Sequence, residues 1–175
     1  MSLTIHRIFE LILYILPAYF ANGAPVIFGG GKPLDLGKNF LDGRRIFGDN
    51  KTIRGLIFGL LSGFLIGFIL LGLKELNLLH SDLISLCNVI VLPIGTHVGD
   101  LFGSFVKRRL NIGPGKSAPI LDQLGFLIFA LLFSWLICGT VLEFWDLVVL
   151  VVMTLLLHPL TNIGAYILKL KKVPY

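Results

Sequence analysis

Five apolar runs, each of about 20 residues, constrain what this chain can fold into more than any other feature. They cover roughly residues 6–28, 55–73, 84–105, 122–142 and 147–168. A helix of about 20 apolar residues crosses the hydrocarbon core of a bilayer. A soluble domain of 175 residues could not hide a composition that is 55% hydrophobic with a mean hydropathy of +0.89. The sequence therefore predicts an all-α integral membrane protein, a bundle of five transmembrane helices.

Lys and Arg residues are distributed unevenly between the two sides of this bundle. Arg7 and Lys74 lie on one side, and 13 others lie on the opposite side. These 13 are Lys32, Lys38, Arg44, Arg45, Lys51, Arg54, Lys107, Arg108, Arg109, Lys116, Lys169, Lys171 and Lys172. Because cytoplasmic loops are enriched in Lys and Arg, we predict an outside N-terminus, a cytoplasmic C-terminus and two long charged cytoplasmic loops, 29–54 and 106–121. The net charge of +5 then indicates contact with anionic head groups rather than nucleic acid.

Two patterns inside the spans predict packing rather than chemistry. The second span carries a stripe of glycines at i, i+4 spacing, which allows another helix to approach closely; these are Gly55, Gly59, Gly63 and Gly67. Cys87 and Cys138 lie in or beside apolar runs without a partner motif, and we interpret both as small hydrophobic residues.

A charged residue inside the third span gives the strongest indication of function. Charge within a membrane is costly and by default marks a functional site. Asp100 lies in this span, and His97, Ser104 and Lys107 fall within about 60° of it on a helical wheel. A simple pair between Asp100 and Lys107 is the structural alternative, although one pair does not require so long a polar stripe.

A second carboxylate, Asp122, begins the fourth span and is followed by Gln123. The third and fourth spans should form an antiparallel hairpin, which would bring Asp100 and Asp122 to similar depth at the cytoplasmic rim. Mg²⁺ takes one or two carboxylates, keeps several waters and completes its shell with phosphate oxygens. Neighbouring cations would neutralise the phosphate charge that the metal does not reach. The pattern therefore favours a Mg²⁺ and phosphate site.

The loop before the second span, RRIFGDNKTIRG at residues 44–55, concentrates charge next to a helix start. Thr52 can cap this helix, whose free N–H groups and dipole would favour an anion. Four cations add to that field: Arg44, Arg45, Lys51 and Arg54. The alternative is a basic loop that rests on anionic lipid. Asp49 weighs against it, because an acid is useful near a metal or a ribose hydroxyl and unhelpful beside lipid head groups.

Two glycine-rich segments imitate phosphate-binding motifs. Residues 113–117 end in GKS as a P-loop does, but Leu110 stands where the first glycine belongs and no βαβ context exists. Residues 29–33 lack the Ser or Thr of that motif. We interpret both as flexible loops at the membrane surface.

The block at residues 99–109, GDLFGSFVKRR, followed by Lys116 and the Leu121–Gln123 segment, resembles the signature of the CTP-dependent phosphatidate cytidylyltransferase superfamily. With Pro33-Leu34-Asp35, the loop at 44–55 and the five spans, the whole chain is similar to the archaeal CDP-archaeol synthases. The H-G-G and D-R-x-D patterns of the bacterial and eukaryotic enzymes are absent, and only Asp122-Gln123 stands at the second acidic cluster.

The resemblance implies a single membrane-embedded cytidylyltransferase domain over residues 1–175, which transfers CMP from CTP to an isoprenoid ether lipid phosphate at the cytoplasmic side of the cell membrane. It implies Mg²⁺ as cofactor, held by Asp100 and Asp122, with Lys107 as a further catalytic residue. We expect the nucleotide to contact Arg44, Arg45, Asp49, Lys51, Thr52, Arg54 and Ser104. We expect the lipid phosphate to contact Arg108, Arg109 and Lys116.

Two other functions fit some of the same residues. A lipid kinase or phosphatase would also place Asp and basic residues at the membrane rim. A small transporter could line its pathway with Asp100, but the outer half of the third span, from Ile90 to Ile94, is apolar.

Overall fold

The structure is a computed structural model that describes residues 4–113, 116 and 118–170. This part of the chain forms five α-helices and no sheet: α1 (Ile5–Phe28), α2 (Ile53–Glu75), α3 (Leu86–Arg109), α4 (Pro119–Cys138) and α5 (Phe144–Ile167). Each helix is long and apolar enough to cross a membrane. The five predicted runs overlap these helices in order, so the predicted all-α bundle is confirmed.

The helices begin and end where local chemistry satisfies their terminal backbone groups. The hydroxyl of Thr52 accepts a hydrogen bond from the Gly55 N–H at 3.0 Å and begins α2, as predicted. A carboxylate of Asp146 accepts from the Glu143 N–H at 3.1 Å at the start of α5. Gly139, with a φ of 66°, adopts the left-handed conformation that ends α4.

The third helix lies at the centre of the bundle. Of its most apolar 18-residue stretch, 56% is buried, against 11% for α5. The core around it is built from α1, α3, α4 and α5, with Leu11, Tyr14, Ile15, Leu92, Phe126, Leu127 and Leu150 almost inaccessible. The helix that carries Asp100 is therefore held on several sides, and a side chain on it has a defined position.

The glycine stripe of α2 packs against α1 and α3, as predicted. A Cβ on Gly59 would lie 2.3 Å from Nε2 of His97, and a Cβ on Gly67 would lie 2.5 Å from Cγ1 of Val89. Both distances are too short for any larger residue without movement of α3. The stripe thus allows the two helices to approach closely.

Cys87 and Cys138 form a disulfide between the start of α3 and the end of α4. The prediction that they are isolated small hydrophobic residues is wrong. The two residues are separated by 51 positions, and their Cα atoms come within 5.7 Å only because α3 and α4 pack antiparallel along their length. The bond closes the hairpin at the end of the bundle that carries few Lys and Arg residues.

The long loops emerge together at the other end, which we call the charged end. Antiparallel packing places the C-termini of α1 and α3 beside the N-termini of α2 and α4, so the segments 29–52 and 110–113 meet there. The first loop contains only two isolated bridges, Pro33 to Thr52 and Asn39 to Arg45. Residues 114, 115 and 117 of the motif at 113–117, as well as Lys171 and Lys172, lie outside the described residues.

Candidate active site

Asp100 of α3 pairs with a lysine from the first loop. Each of its carboxylate oxygens lies 2.5 Å from the Nζ atom of Lys51. Both side chains are partly exposed, Lys51 at 26% and Asp100 at 30%. The structural alternative considered from the sequence was an ion pair between Asp100 and Lys107 on the same helix. The partner comes instead from the loop, so this contact joins the loop to the centre of the bundle.

Lys107 reaches the second carboxylate. Its Nζ atom lies 2.5 Å from Oδ1 of Asp122, whose side chain is 27% exposed. The other oxygen of Asp122 accepts a hydrogen bond from the Ala118 N–H at 2.8 Å, which fixes the carboxylate over the first turn of α4. The hairpin of α3 and α4 therefore carries two carboxylate–lysine pairs.

The two carboxylates lie on neighbouring helices, about one turn apart in depth. Asp122 follows Leu121, whose carbonyl oxygen would lie 3.5 Å from a Cβ on Gly103. Gly103 is itself three residues beyond Asp100 toward the charged end. The similar depth expected from the hairpin therefore holds to within about one helical turn.

The rest of the polar stripe on α3 turns into the bundle. His97 and Ser104 are 6% and 4% exposed. The Nε2 atom of His97, which lies against Gly59, has no hydrogen-bond partner among the described residues. Ser104 therefore contributes a buried hydroxyl near the two ion pairs, while Asp100 faces the loop.

The first loop folds around Asp35, whose side chain is completely buried. Its oxygens accept hydrogen bonds from the Arg45 guanidinium at 2.5 Å and from the N–H groups of Gly48 at 2.9 Å, Phe47 at 3.0 Å and Gly37 at 3.1 Å. Burial by itself would raise the pKa of Asp35, but Arg45 and the three N–H groups outweigh it and hold that pKa well below its ordinary value. Asp35 was not predicted as a site residue, although it lies in the Pro-Leu-Asp segment that contributes to the resemblance.

Arg45 also binds Asp49, with Nη1 2.7 Å from Oδ1, and the Asp49 side chain is 66% exposed. Hydrogen bonds to Asp35 and then to Asp49 raise the pKa of Arg45, which stays charged. The donors of Arg45 are thus directed toward the loop itself. A nucleotide contact for Arg45 or Asp49 stays a prediction.

Arg44 and Arg109 lock the loop onto the C-terminus of α3. Arg44 donates to the Arg109 carbonyl oxygen at 2.5 Å, and Arg109 donates to the Arg45 carbonyl oxygen at 2.6 Å. The Arg109 guanidinium lies between the rings of Phe40 and Phe105, 4.9 Å and 4.7 Å from their centroids. Cations are favourable at this end of a helix, where carbonyl groups lack intrahelical partners.

Arg108 connects the two loops beneath the surface. It is 7% exposed and donates to the Gly113 carbonyl oxygen at 3.1 Å and to the Phe47 carbonyl oxygen at 3.4 Å. Arg108 and Arg109 therefore stabilise the loops, and their predicted contact with a lipid phosphate stays a prediction.

Five cations on the side of the charged end make no side-chain hydrogen bond or ion pair with the described residues: Lys32, Lys38, Arg54, Lys116 and Lys169. All five are exposed. Arg54 lies 5.8 Å from the centroid of the Phe58 ring at the start of α2. Of the cations predicted to bind substrate, Arg54 and Lys116 are thus the ones whose side chains make no hydrogen bond or ion pair with the described residues.

The start of α2 is less open to an anion than the sequence suggested. The Ile53 N–H donates to the Lys32 carbonyl oxygen at 3.1 Å, and the Gly55 N–H donates to the Thr52 hydroxyl. The expectation of free N–H groups is wrong at Ile53, because the carbonyl oxygen of Lys32 satisfies that group. The bond from Gly55 is the predicted Thr52 cap.

The two carboxylates of the charged end have the chemistry of ligands for a hard divalent cation. Among the described residues, no group of three or more His, Cys, Asp or Glu side chains is arranged to hold a metal. Asp100 and Asp122 offer only carboxylate oxygens, and each already faces a positive charge at hydrogen-bond distance. Two carboxylates completed by water and phosphate oxygens are an arrangement that Mg²⁺ adopts readily.

Comparison with known proteins gives one consistent result. Residues 4–175 match the family described as "CarS-like: CDP-archaeol synthase". The CDP-archaeol synthase of Pyrococcus furiosus is 48% identical over 172 residues, which cover 97% of this chain and 99% of that protein. The CDP-archaeol synthase of Methanocaldococcus jannaschii is also 48% identical, with 95% of this chain and 96% of that protein covered.

A solved structure described as "Structural insight into an intramembrane enzyme for archaeal membrane lipids biosynthesis" has the same fold. It superposes with a TM-score of 0.78 at 41% identity and covers 89% of this chain and 94% of its own. The five apolar helices and this likeness identify a multi-pass membrane protein. With nearly its whole length matched in sequence and in fold, the chain belongs to the CDP-archaeol synthase family.

Proposed function

We propose that the protein transfers the CMP moiety of CTP to a lipid phosphate within the membrane and releases pyrophosphate. The lipid is an unsaturated archaetidic acid, 2,3-di-O-geranylgeranyl-glycerol phosphate, and the product is CDP-archaeol, an intermediate of archaeal phospholipid synthesis. The observation that carries the proposal is the pair of carboxylates, Asp100 and Asp122, each held by a lysine at one end of the bundle. The chain is also 48% identical to a CDP-archaeol synthase.

The chemistry requires little more than positioning and charge neutralisation. An oxygen of the lipid phosphate attacks the α-phosphorus of CTP, the bond from that phosphorus to the bridging oxygen breaks, and pyrophosphate leaves with the electron pair. The attacking oxygen is already ionised at neutral pH, so no strong general base is needed. Alignment of the reacting groups and stabilisation of the leaving charge then account for most of the catalysis.

Asp100 and Asp122 would hold Mg²⁺, which would neutralise charge on the phosphate oxygens of the nucleotide. Lys107, whose ammonium lies at Asp122, and the buried Ser104 would contact the nucleotide phosphates from α3. Support for a substrate-facing loop comes from Arg54 and Lys116, whose side chains make no hydrogen bond or ion pair with the described residues.

The loop residues divide between binding and shaping in this proposal. The predicted nucleotide contacts in the loop are Arg44, Arg45, Asp49, Lys51, Thr52 and Arg54. Arg44, Arg45 and Thr52 also hold the loop together, through the α3 carbonyls, Asp35 and the start of α2. The same holds for the predicted lipid-phosphate contacts, because Arg108 and Arg109 bind loop carbonyls while Lys116 stays exposed.

The active site would face the cytoplasm. The support is the distribution of Lys and Arg in the sequence, with 13 residues in the two long loops, the helix ends beside them and the C-terminal tail, against Arg7 and Lys74 elsewhere. CTP would arrive from the cytosol, while the lipid phosphate would lie at the interface with its two chains between the helices and the bilayer.

A labelling experiment tests this function against its alternative. Purified protein in lipid nanodiscs would be incubated with Mg²⁺, the digeranylgeranyl lipid phosphate and CTP labelled on either the α- or the γ-phosphate. We expect the α-label to enter a CDP-lipid and the γ-label to appear in pyrophosphate. Transfer of the γ-label to lipid would establish a kinase instead. Absence of any labelled lipid in either arm would reject both transfer reactions.

A further inference from the structure

The ammonium of Lys51 contacts both carboxylate oxygens of Asp100, the residue that the proposed function assigns to the metal. Its Nζ atom lies 2.5 Å from each of the two carboxylate oxygens. We propose that Lys51 is a tethered cation, which pairs with Asp100 before Mg²⁺ binds, leaves when the metal arrives and then contacts a phosphate of the nucleotide. This inference rests on the proposed function and adds the order in which one residue exchanges its partners.

Lys51 and a divalent ion cannot both take these two oxygens. Their positive charges would repel each other at short range, and neither cation could then contact both carboxylate oxygens. An ammonium on a flexible four-carbon stem is well suited to such an exchange, because it is a compact charge that can rotate to a new acceptor. The guanidinium of Arg45 is not suited to such an exchange, because hydrogen bonds fix it to several atoms of Asp35 and Asp49.

The backbone of Lys51 stays in place while its side chain moves. Its carbonyl oxygen accepts from the Leu34 N–H at 2.7 Å, its N–H donates to the Gly48 carbonyl oxygen at 3.3 Å, and the next residue is the buried cap Thr52. The side chain itself is 26% exposed and is described with only one partner, Asp100. Exchange therefore needs rotation about side-chain bonds and no loop opening.

Asp100 and Lys51 each have a partner of opposite charge both before and after the proposed exchange. Asp100 lies in a membrane-spanning helix, where a carboxylate without a partner is costly, and Lys51 neutralises it before the metal is present. Once the metal takes over that task, the released ammonium lies at the charged end, where the triphosphate would bring new negative charge. Each group is thus paired at each stage.

Removal of the Lys51 charge should consequently have two effects of opposite sign. Divalent binding in the absence of nucleotide should strengthen, because the competitor is gone. Binding of the nucleotide together with the metal should weaken, because one phosphate contact is lost. A residue that only stabilises the loop would weaken both.

The first test is Lys51→Met, which keeps the aliphatic stem. Mn²⁺ binding to protein in nanodiscs, without nucleotide, would be followed by electron paramagnetic resonance. We expect the dissociation constant to fall about fivefold, the scale set by a partly exposed ion pair. Lys38→Met is the matched control, since it removes the same charge from the same loop at an exposed position without a described side-chain partner. Equal or weaker Mn²⁺ binding by Lys51→Met, or equal strengthening by Lys38→Met, would overturn the proposal.

The second test uses the unmodified protein and so does not depend on how a variant folds. Amine acetylation followed by mass spectrometry would report the reactivity of each lysine. Mg²⁺ alone should raise the reactivity of Lys51 severalfold, and a non-cleavable α,β-methylene analogue of CTP should then lower it, with Lys38 unchanged throughout. Unchanged Lys51 reactivity on addition of Mg²⁺ would contradict the exchange.

The two proposals fail separately. If labelled CTP yields CDP-lipid but Mn²⁺ binding and Lys51 reactivity do not respond as stated, the exchange is wrong and the function stands. If both binding results hold but no CDP-lipid forms, the function is wrong and the metal–lysine exchange stands.

Discussion

The two ends of the bundle use charge in different ways. At the end opposite the charged loops, Arg7 Nη2 lies 2.6 Å from Oδ2 of Asp146, whose side chain is 4% exposed. A second polar cluster there is closed on itself, since Tyr14 donates to Ser134 at 2.7 Å and Ser134 donates to Asn88 at 2.7 Å. Polar groups at this end bind each other within the core, which favours a single packing of α1, α3, α4 and α5.

At the charged end, the two carboxylates of the hairpin remain about seven-tenths buried and are held by lysines. Asp100 and Asp122 are 30% and 27% exposed, and a single ammonium is described at each, Lys51 and Lys107. On the proposed function, such pairs would give way to a substrate or a metal. We therefore infer that one end of this protein serves stability and the other serves exchange, with α3 and α4 shared between them.

The largest effect expected from this comparison is at Asp100. The Asp100→Asn variant should stay folded in membranes but lose CDP-lipid formation by more than about 100-fold, since an amide is a poor ligand for a hard cation. Product formation from α-labelled CTP measures this. Asp82→Asn is the control, because Asp82 is an exposed acid in the loop between α2 and α3. Near-normal turnover by Asp100→Asn would contradict the metal assignment.

At the opposite end, Asp146→Asn should act on stability rather than on turnover. It removes the charge of the buried partner of Arg7, which keeps Glu10 at 3.2 Å, and this should cost about 2 kcal/mol of the free energy of unfolding. Thermal unfolding in detergent should shift to lower temperature, while kcat at a temperature where the variant is folded should remain near that of the unmodified protein. Loss of turnover with an unchanged unfolding temperature would break the separation between the two ends.

The disulfide offers a second test of that end. Replacing both cysteines, Cys87→Ala with Cys138→Ala, should lower the free energy of unfolding by about 2 kcal/mol, because the unfolded chain is no longer constrained. Catalysis at moderate temperature should persist, since the bond lies at the other end of the hairpin from Asp100. A large loss of kcat at a temperature far below unfolding would mean that the two ends are coupled.

Asp35 should have an effect confined to the first loop. Asp35→Asn leaves the donors around it without a charged acceptor, which should lower the local stability of the loop by about 2 kcal/mol. Because the pKa of Asp35 is lowered by folding, its contribution is present above the ordinary Asp pKa of about 3.9 and is lost as the pH falls from there through the folded value.

Limited proteolysis of residues 29–52 measures the effect of Asp35. The unmodified loop should resist cleavage by an acid-active protease near pH 4 and lose resistance only in stronger acid. The Asp35→Asn loop should be cut faster already at neutral pH, where a neutral protease serves. Equal cleavage of both proteins at neutral pH would mean that Asp35 does not stabilise the loop.

The smallest effect is expected at Asp49. This carboxylate is 66% exposed and pairs with Arg45, so Asp49→Asn should change stability by less than about 1 kcal/mol. If Asp49 touches the ribose or the metal, as the sequence suggested, the Michaelis constant for CTP should rise while the unfolding temperature stays constant. A variant unchanged in both quantities would assign Asp49 to the loop surface alone.

The features that could be predicted from the sequence are those governed by local rules. The length of each apolar run gives the spans, the i, i+4 glycines of α2 indicate close packing, and Thr52 before a helix indicates a cap. Asp100 stands out because a charge within an apolar run is rare. Each of these inferences needs only a few consecutive residues.

The partners of these residues could not be predicted, because they depend on how distant segments meet. Lys51 and Asp100 are 49 positions apart and lie on a loop and a helix. Arg108 and Arg109 look like free cations in the sequence, but the first loop folds back and supplies carbonyl oxygens to both. No periodic pattern in residues 29–52 predicts that the loop folds back onto α3.

By itself, the sequence determined that the chain forms five helices long and apolar enough to cross a membrane, because apolar side chains at this density must lie against lipid or against each other. It also determined where the charges concentrate. Only the tertiary structure decided which cations are used to build the loops and which remain available, and that Cys87 meets Cys138. The physical reason is that hydrophobic burial depends on composition and spacing along one helix, whereas a hydrogen bond, an ion pair or a disulfide depends on atoms brought together across several helices.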